Sequence, residues 1–334
     1  MRALAVYTMI FSFLTLATPA PAAPATPDGA AQLSQDLNNF KDWHNKISSL
    51  SGQGLSFAGP INVAVKDSYY QAHINSVSVI LANGFHTEIG NVVINATAAD
   101  KAGEWIFSMA LPKRMTVLDA AQNPVGDITL GRQRFSAAWV PSLNLFYKID
   151  SEYSDIKMQP RDGGHGPAVS IADFTNTLDM TENTDKTWSG PHHTRIGKTL
   201  ITINSDNETS MSFENAAADT FYKGLSLTGA ETAQKKVSDV LENSAAPQAQ
   251  VRAQIEDAYK NAAEAPDIFK VSSSLSNFIL TIKPRPNSVP EGNEPPKPFL
   301  FSIPQVTSLS EASGLRNATA NLNMLPCSAV NRGR

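Results

Sequence analysis

From Pro60 to about Asn215, apolar residues recur at every second position, block after block. Ile61, Val63 and Val65 alternate, then Val77, Val79 and Leu81, then Trp105, Phe107, Met109 and Leu111. Phe135, Ala137 and Trp139 follow, then Leu143, Leu145, Tyr147 and Ile149, and later Met211 and Phe213. A period of two sends neighbouring side chains to opposite faces, so each block reads as a strand with one buried and one wet face. Turn-forming clusters separate the blocks: "ANG" at 82–84, "QNPVGD" at 122–127, "RDGGHG" at 161–166 and "NSDN" at 204–207. About ten strands at this spacing leave no room for the crossover helices of a parallel sheet.

The predicted fold class is therefore mainly β with flanking helices (α+β), built on a long antiparallel meander. Such a sheet accumulates twist and must close, split into layers or curl. Curling would give an apolar trough. Its candidate lining is Val77, Val79, Leu81, Trp105, Phe107, Met109, Phe135, Trp139, Leu143 and Leu145.

Residues 1–22, "MRALAVYTMIFSFLTLATPAPA", carry Arg2, an apolar run and an Ala-Pro-Ala end. This is the pattern of a secretory signal peptide, so the mature chain is expected to be exported. Residues 23–30 read as a flexible neck, and 31–228 as an amphipathic helix followed by the β domain. In that helix Leu33, Leu37, Phe40, Ile47 and Leu50 form one stripe, with Asp28 as its expected cap. Residues 229–265 read as two helices broken near Pro247, and 266–325 as a partial second β lobe. Residues 326–334 read as a tail carrying Cys327, the only cysteine. After the leader no stretch reaches the roughly 20 apolar residues of a membrane span.

A net charge of −4 with no Lys/Arg cluster argues against nucleic acid. One thiol excludes internal disulfides and cysteine-based zinc sites. "GPHHTRIGKT", 190–199, ends like a phosphate-binding loop. However, six residues separate Gly190 from Gly197 where four are needed, and a β-rich segment follows instead of a helix. His192 and His193, adjacent on a strand, point to opposite faces and cannot share a metal. "GLSFAG" at 54–59 and "GLSLTG" at 224–229 each hold one residue too many for a serine nucleophile elbow. No cofactor, metal or catalytic set is predicted.

The leader, the helix around "LNNFKDWHNKI", the block "GEWIFSMALPKRMTVLDAAQNPVGDITLGRQRFSAAWVPSLNLFYKIDSEYSDIKM" and the helical pair before renewed strands together resemble exported proteins of Gram-negative bacteria with AsmA-like β-repeat organisation. The resemblance implies a periplasmic protein of the cell envelope with an extended sheet that handles lipid. It carries no catalytic residues over, and by its pattern the second lobe here is short. The expected function is thus non-enzymatic binding of a lipid or an envelope protein in the trough. The alternatives are an assembly protein whose own helices fill the core, and a hydrolase built on distant residues such as His165.

Overall fold

The computed structural model describes residues 24–81, 84–161, 166–204, 207–243, 247–262, 268–284, 297–312, 318–324 and 328–331. The leader, His165 and Cys327 lie outside the described residues. The first element among the described residues is helix α1 (Pro27–Ser51). It starts inside the segment expected to be a neck, because Thr26, not Asp28, is the cap. The Thr26 Oγ1 accepts from the Gly29 N–H at 3.1 Å, and Pro27 occupies the first turn, where no intrahelical donor is needed. Gly52, at φ 69°, ends the helix and donates to Ser48 O.

Fifteen strands follow: β1 (Gly54–Phe57), β2 (Asn62–Val65), β3 (Tyr70–Ile80), β4 (His86–Ala98), β5 (Trp105–Ala110), β6 (Arg114–Leu118), β7 (Pro124–Thr129), β8 (Gln133–Val140), β9 (Leu145–Pro160), β10 (Ala168–Asp179), β11 (Thr181–Glu182), β12 (Thr187–Ile196), β13 (Thr199–Asn204), β14 (Asn207–Phe213) and β15 (Asn215–Ser226). Helices α2 (Leu227–Asn243) and α3 (Gln248–Ala262) interrupt them. Then come β16 (Ile268–Pro284), β17 (Phe299–Ala312), β18 (Ala318–Met324) and β19 (Ser328–Asn331). All the pairings are antiparallel and belong to one sheet. β16 pairs with both β14 and β15, so the strands after the helices extend the first sheet and form no second lobe.

The strand count exceeds the expected ten because several blocks are half-strands laid end to end. β3 and β4 are long and paired. The next two places in the sheet are each shared by two half-strands, β5 with β6 and then β8 with β7. β9 and β10 are again long; β12 with β13 and β15 with β14 again share places. β16 and β17 repeat the long pair, and β18 and β19 share the last place. The unit of two long strands followed by half-strands therefore recurs along the chain.

The breaks between half-strands line up with irregularities in the long strands. Non-glycine residues with positive φ interrupt β3 at Ser76 (49°), β9 at Asp155 (52°) and β16 at Asn277 (52°). Between β7 and β8, Gly131 donates to Ser154 O, and a Cβ there would stand 2.9 Å from that oxygen. Between β12 and β13, a Cβ on Gly197 would collide with the Asp173 carboxylate of β10. Between β14 and β15, Glu214 donates to Ser276 O, beside Asn277. Together they form one crease crossing the sheet. One extra residue per strand bends the strand and switches its alternation, so a bend repeated along one line curls the sheet into a gutter.

Outside the gutter, Asp127 of β7 ties β6 to the end of β9. It accepts from Arg114 Nη2 at 2.8 Å and from Arg161 Nε and Nη2 at 3.1 and 2.9 Å. These guanidinium hydrogen bonds hold its carboxyl far below the usual carboxylate range. A depressed folded-state pKa contributes stability above the unfolded-state value, about 3.9, and loses it as pH falls toward the folded-state value. Urea midpoints measured from neutral to low pH should fall less steeply below about pH 4 for Asp127→Asn than for the parent. The crease has its own test. Asp155→Val, which places a β-branched residue at positive φ, should cost about 1–2 kcal/mol of unfolding free energy, whereas Asp155→Gly should be close to neutral.

Candidate functional site

The first half of α1 plugs one end of the gutter. Leu33 and Leu37 are fully or almost fully buried and pack with Phe57, Ile61, Ile74, Val77, Val92, Ile94, Trp105, Phe107 and Trp139. Two asparagines spaced seven apart, hence on one helix face, fix α1 to the sheet margin. Asn45 donates to Phe57 O at 2.9 Å and accepts from Phe57 N at 2.7 Å. Asn38 makes the same two-way contact with Ile61, 3.3 Å each way. The carboxamides thus satisfy backbone groups that an edge strand would leave bare. The second half of α1, through Trp43, Ile47 and Leu50, instead packs on α2 and α3 around Val237, Leu241 and Ala258.

Under the plug lies an apolar cavity of about 260 Å³. Five of the ten residues expected in the trough line it: Val77, Phe107, Met109, Phe135 and Trp139. Trp105 is buried in the same core, with its ring against Tyr70 and its Nε1 donating to Asp36 Oδ2 at 2.9 Å. Val79 lies beyond the bulge at Ser76, opposite Leu55 and Thr87. Leu81 follows the end of β3 and is half exposed. Leu143 is in a 3₁₀ turn (Pro141–Leu143) and lines a separate polar cleft. Leu145 starts β9 opposite Val140. The run 143–149 therefore does not alternate as expected, and Phe146, not Leu145, reaches the cavity.

The main extent of the apolar surface lies elsewhere. Residues directly opposite one another across a ladder share a face. Following the register from β6 gives Met115, Ile128, Met158, Val169, Ile201, Met211, Leu280 and Phe301 in one row. Across the crease a second row reads Tyr153, Phe174, Ile196, Ala216, Leu275 and Val306. The crease residue switches the alternation, so both rows occupy one face. In β16 the half-buried positions Val271, Ser273 and Leu275 pass to Phe278, Leu280 and Ile282 by a step of three. Ile89, a cavity residue, neighbours the Thr116 pairing of Glu88, next to Met115. The capped cavity and the first row are thus continuous. At roughly 4.8 Å per strand, the first row runs on the order of 40 Å.

Sequence reasoning missed these rows because their members are spread over ten strands. The readable signal is the three-residue skip within an otherwise alternating block: Ile74 to Val77, Tyr153 to Ile156, Ile171 to Phe174, Leu275 to Phe278 and Ile303 to Val306.

The segment 190–199 is the second half of β12 and the turn into β13, with no helix after it. His192 Nε2 lies 2.7 Å from Asn176 Oδ1, while His193 Nδ1 lies 2.6 Å from Asp219 Oδ1, so the two imidazoles engage different partners. The two similar Gly-Leu-Ser pieces differ in setting: one is β1, the other closes β15 and runs into α2. Among the described residues no group of three or more His, Cys, Asp or Glu side chains is placed to hold a metal, and no helix is long and apolar enough to cross a membrane. The chain matches no family model, no curated protein and no solved structure.

Proposed function

We propose that this chain is an exported, non-enzymatic protein of the cell envelope that holds the hydrocarbon chain of a lipid in its gutter. The observation that carries the reading is the pair of apolar rows aligned across the crease, one of them continuous with the cavity under α1. Burying a hydrocarbon chain there removes apolar surface from water at about 25 cal/mol per Å². The row, on the order of 40 Å long, exceeds the length of one acyl chain. The cavity alone is too small for a lipid: it is less than twice the ~150 Å³ apolar hole that accepts benzene. It fits the tip of a chain whose remainder lies along the rows. The leader-like segment 1–22 supports the envelope setting. A second reading, an assembly protein with a self-filled core, is favoured only at the plugged end, where Leu33 and Leu37 already occupy the space.

The mature chain should enhance the fluorescence of cis-parinaric acid, and unlabelled fatty acid should reverse the effect. Met211→Asp and Leu280→Asp, both in the first row, should weaken binding about tenfold or more while far-ultraviolet circular dichroism stays that of the parent. Leu309→Asp is the control: Leu309 is 50% exposed and pairs with Ser272 and Asn321 on the opposite face. Equal binding by all four proteins would remove the gutter as the site.

A further inference from the structure

A second concavity, about 890 Å³, lies between α1, α2, the 3₁₀ turn, the β4–β5 loop and the β11–β12 hairpin. Phe40 and Trp139 line both it and the apolar cavity. Three of the four tryptophans, six carboxylates and three lysines line it. With its carboxamide nitrogen turned inward, Gln234 of α2 donates to the carbonyls of Ser142 and Leu143 at 3.2 Å each, fixing the turn that forms one wall.

Among the described residues, four buried side-chain polar atoms have no hydrogen-bond partner: Glu104 Oε1, Trp139 Nε1, Asn144 Oδ1 and Trp188 Nε1. All four belong to residues lining this one cleft. Glu104, Trp139 and Trp188 are 5%, 1% and 5% exposed. Leaving a buried polar group unpaired is costly, so a cluster of four calls for a cause.

Lys101 covers Trp188 and Glu104. Its ammonium lies 5.7 Å above the Trp188 ring, 3.3 Å from Glu182 Oε2 and 3.2 Å from Glu104 Oε1. This ion pair balances the Glu104 charge, and Oε1 accepts no hydrogen bond besides it. The Lys101 side chain is 59% exposed and can swing away at small cost. Tyr147 packs on Trp188 at 5.1 Å; burial, with the Glu104 carboxylate nearby, pushes its phenol up to about 12.

The unfilled set comprises two N–H donors and two oxygen acceptors. An anion satisfies only the donors and is repelled by the carboxylates; a cation satisfies only the acceptors. A hydroxyl accepts from an indole and donates to an oxygen at the same time. We infer that the cleft is a saccharide-binding site, taking an uncharged oligosaccharide whose hydroxyls displace Lys101 and pair with Trp139, Trp188, Glu104 and Asn144. The volume is within the range of ligand pockets, about 300–1,000 Å³. The site is distinct from the gutter and stands whether or not the gutter binds lipid.

The indole N–H signals of ¹⁵N-tryptophan-labelled mature protein test this directly, with chitotetraose, cellotetraose and maltotetraose titrated to millimolar concentration. Two of the signals should lie upfield in the free protein, where those groups lack partners, and move downfield saturably with at least one saccharide. Trp188→Phe should abolish one of them and weaken binding about tenfold, with a thermal midpoint equal to or above the parent's, because it removes an unpaired buried donor. Lys101→Ala should bind at least as tightly as the parent. The inference is overturned if the signals are already downfield without ligand, which would mean that water alone fills the cleft. It is equally overturned if no saccharide moves them, if spermidine or inorganic phosphate moves them as a saccharide should, or if Trp188→Phe lowers the midpoint and leaves saccharide binding intact.

Discussion

The structure depends on register. The long rows exist only because Met158 faces Val169, Val169 faces Ile201 and Met211 faces Leu280. A slip of one residue at any ladder would turn every side chain beyond it to the other face. Wetting a row of eight apolar side chains would cost about 1.5–3 kcal/mol for each large one, far more than a sheet of marginal stability tolerates. The skip at the crease obeys the same constraint. Without Asp155 and Asn277 in their positive-φ conformations, Tyr153 and Leu275 would leave the face that Ile156 and Phe278 occupy. The backbone penalty at these positions, about 1–2 kcal/mol each, is offset by the apolar surface it keeps on one side.

A row that long needs a closed end, and α1 supplies it. One stripe of that helix serves two clusters, its first half the sheet core and its second half the α2–α3 pair. Asn38 and Asn45 place the stripe by gripping both backbone groups of Ile61 and Phe57. The polar cleft lies where α1, α2 and the sheet meet. The apolar and polar concavities therefore depend on the same helix docking.

The alternation at Trp105, Phe107 and Met109 was legible because that strand is straight and its apolar face meets α1. The antiparallel class and the helical break near Pro247 were legible for similar reasons of period and punctuation. At Leu143 and Leu145 a period of two was read through a 3₁₀ turn, where the alternation is reset and Phe146 takes the inward position. The extent of the apolar face was hidden because a row perpendicular to the strands takes one residue from each. The cap at Thr26 was missed because Asp28 is the commoner kind of anchor for an apolar stripe beginning at Leu33, and it falls within the first turn instead.

The crease has a mechanical consequence. Along the long strands β9 and β16 the hydrogen-bond ladders run on either side of the crease, and register shifts off it are confined to Val117–Leu118, Ala138–Trp139 and Trp188–Gly190 besides those in β3. The two walls are therefore stiff panels, and the line of Gly131, Asp155, Gly197 and Asn277 is the compliant seam between them. Opening the angle between the panels adjusts a few torsions per strand and leaves most ladder bonds intact. The width of the gutter is accordingly soft, while its length, counted in strands, is rigid.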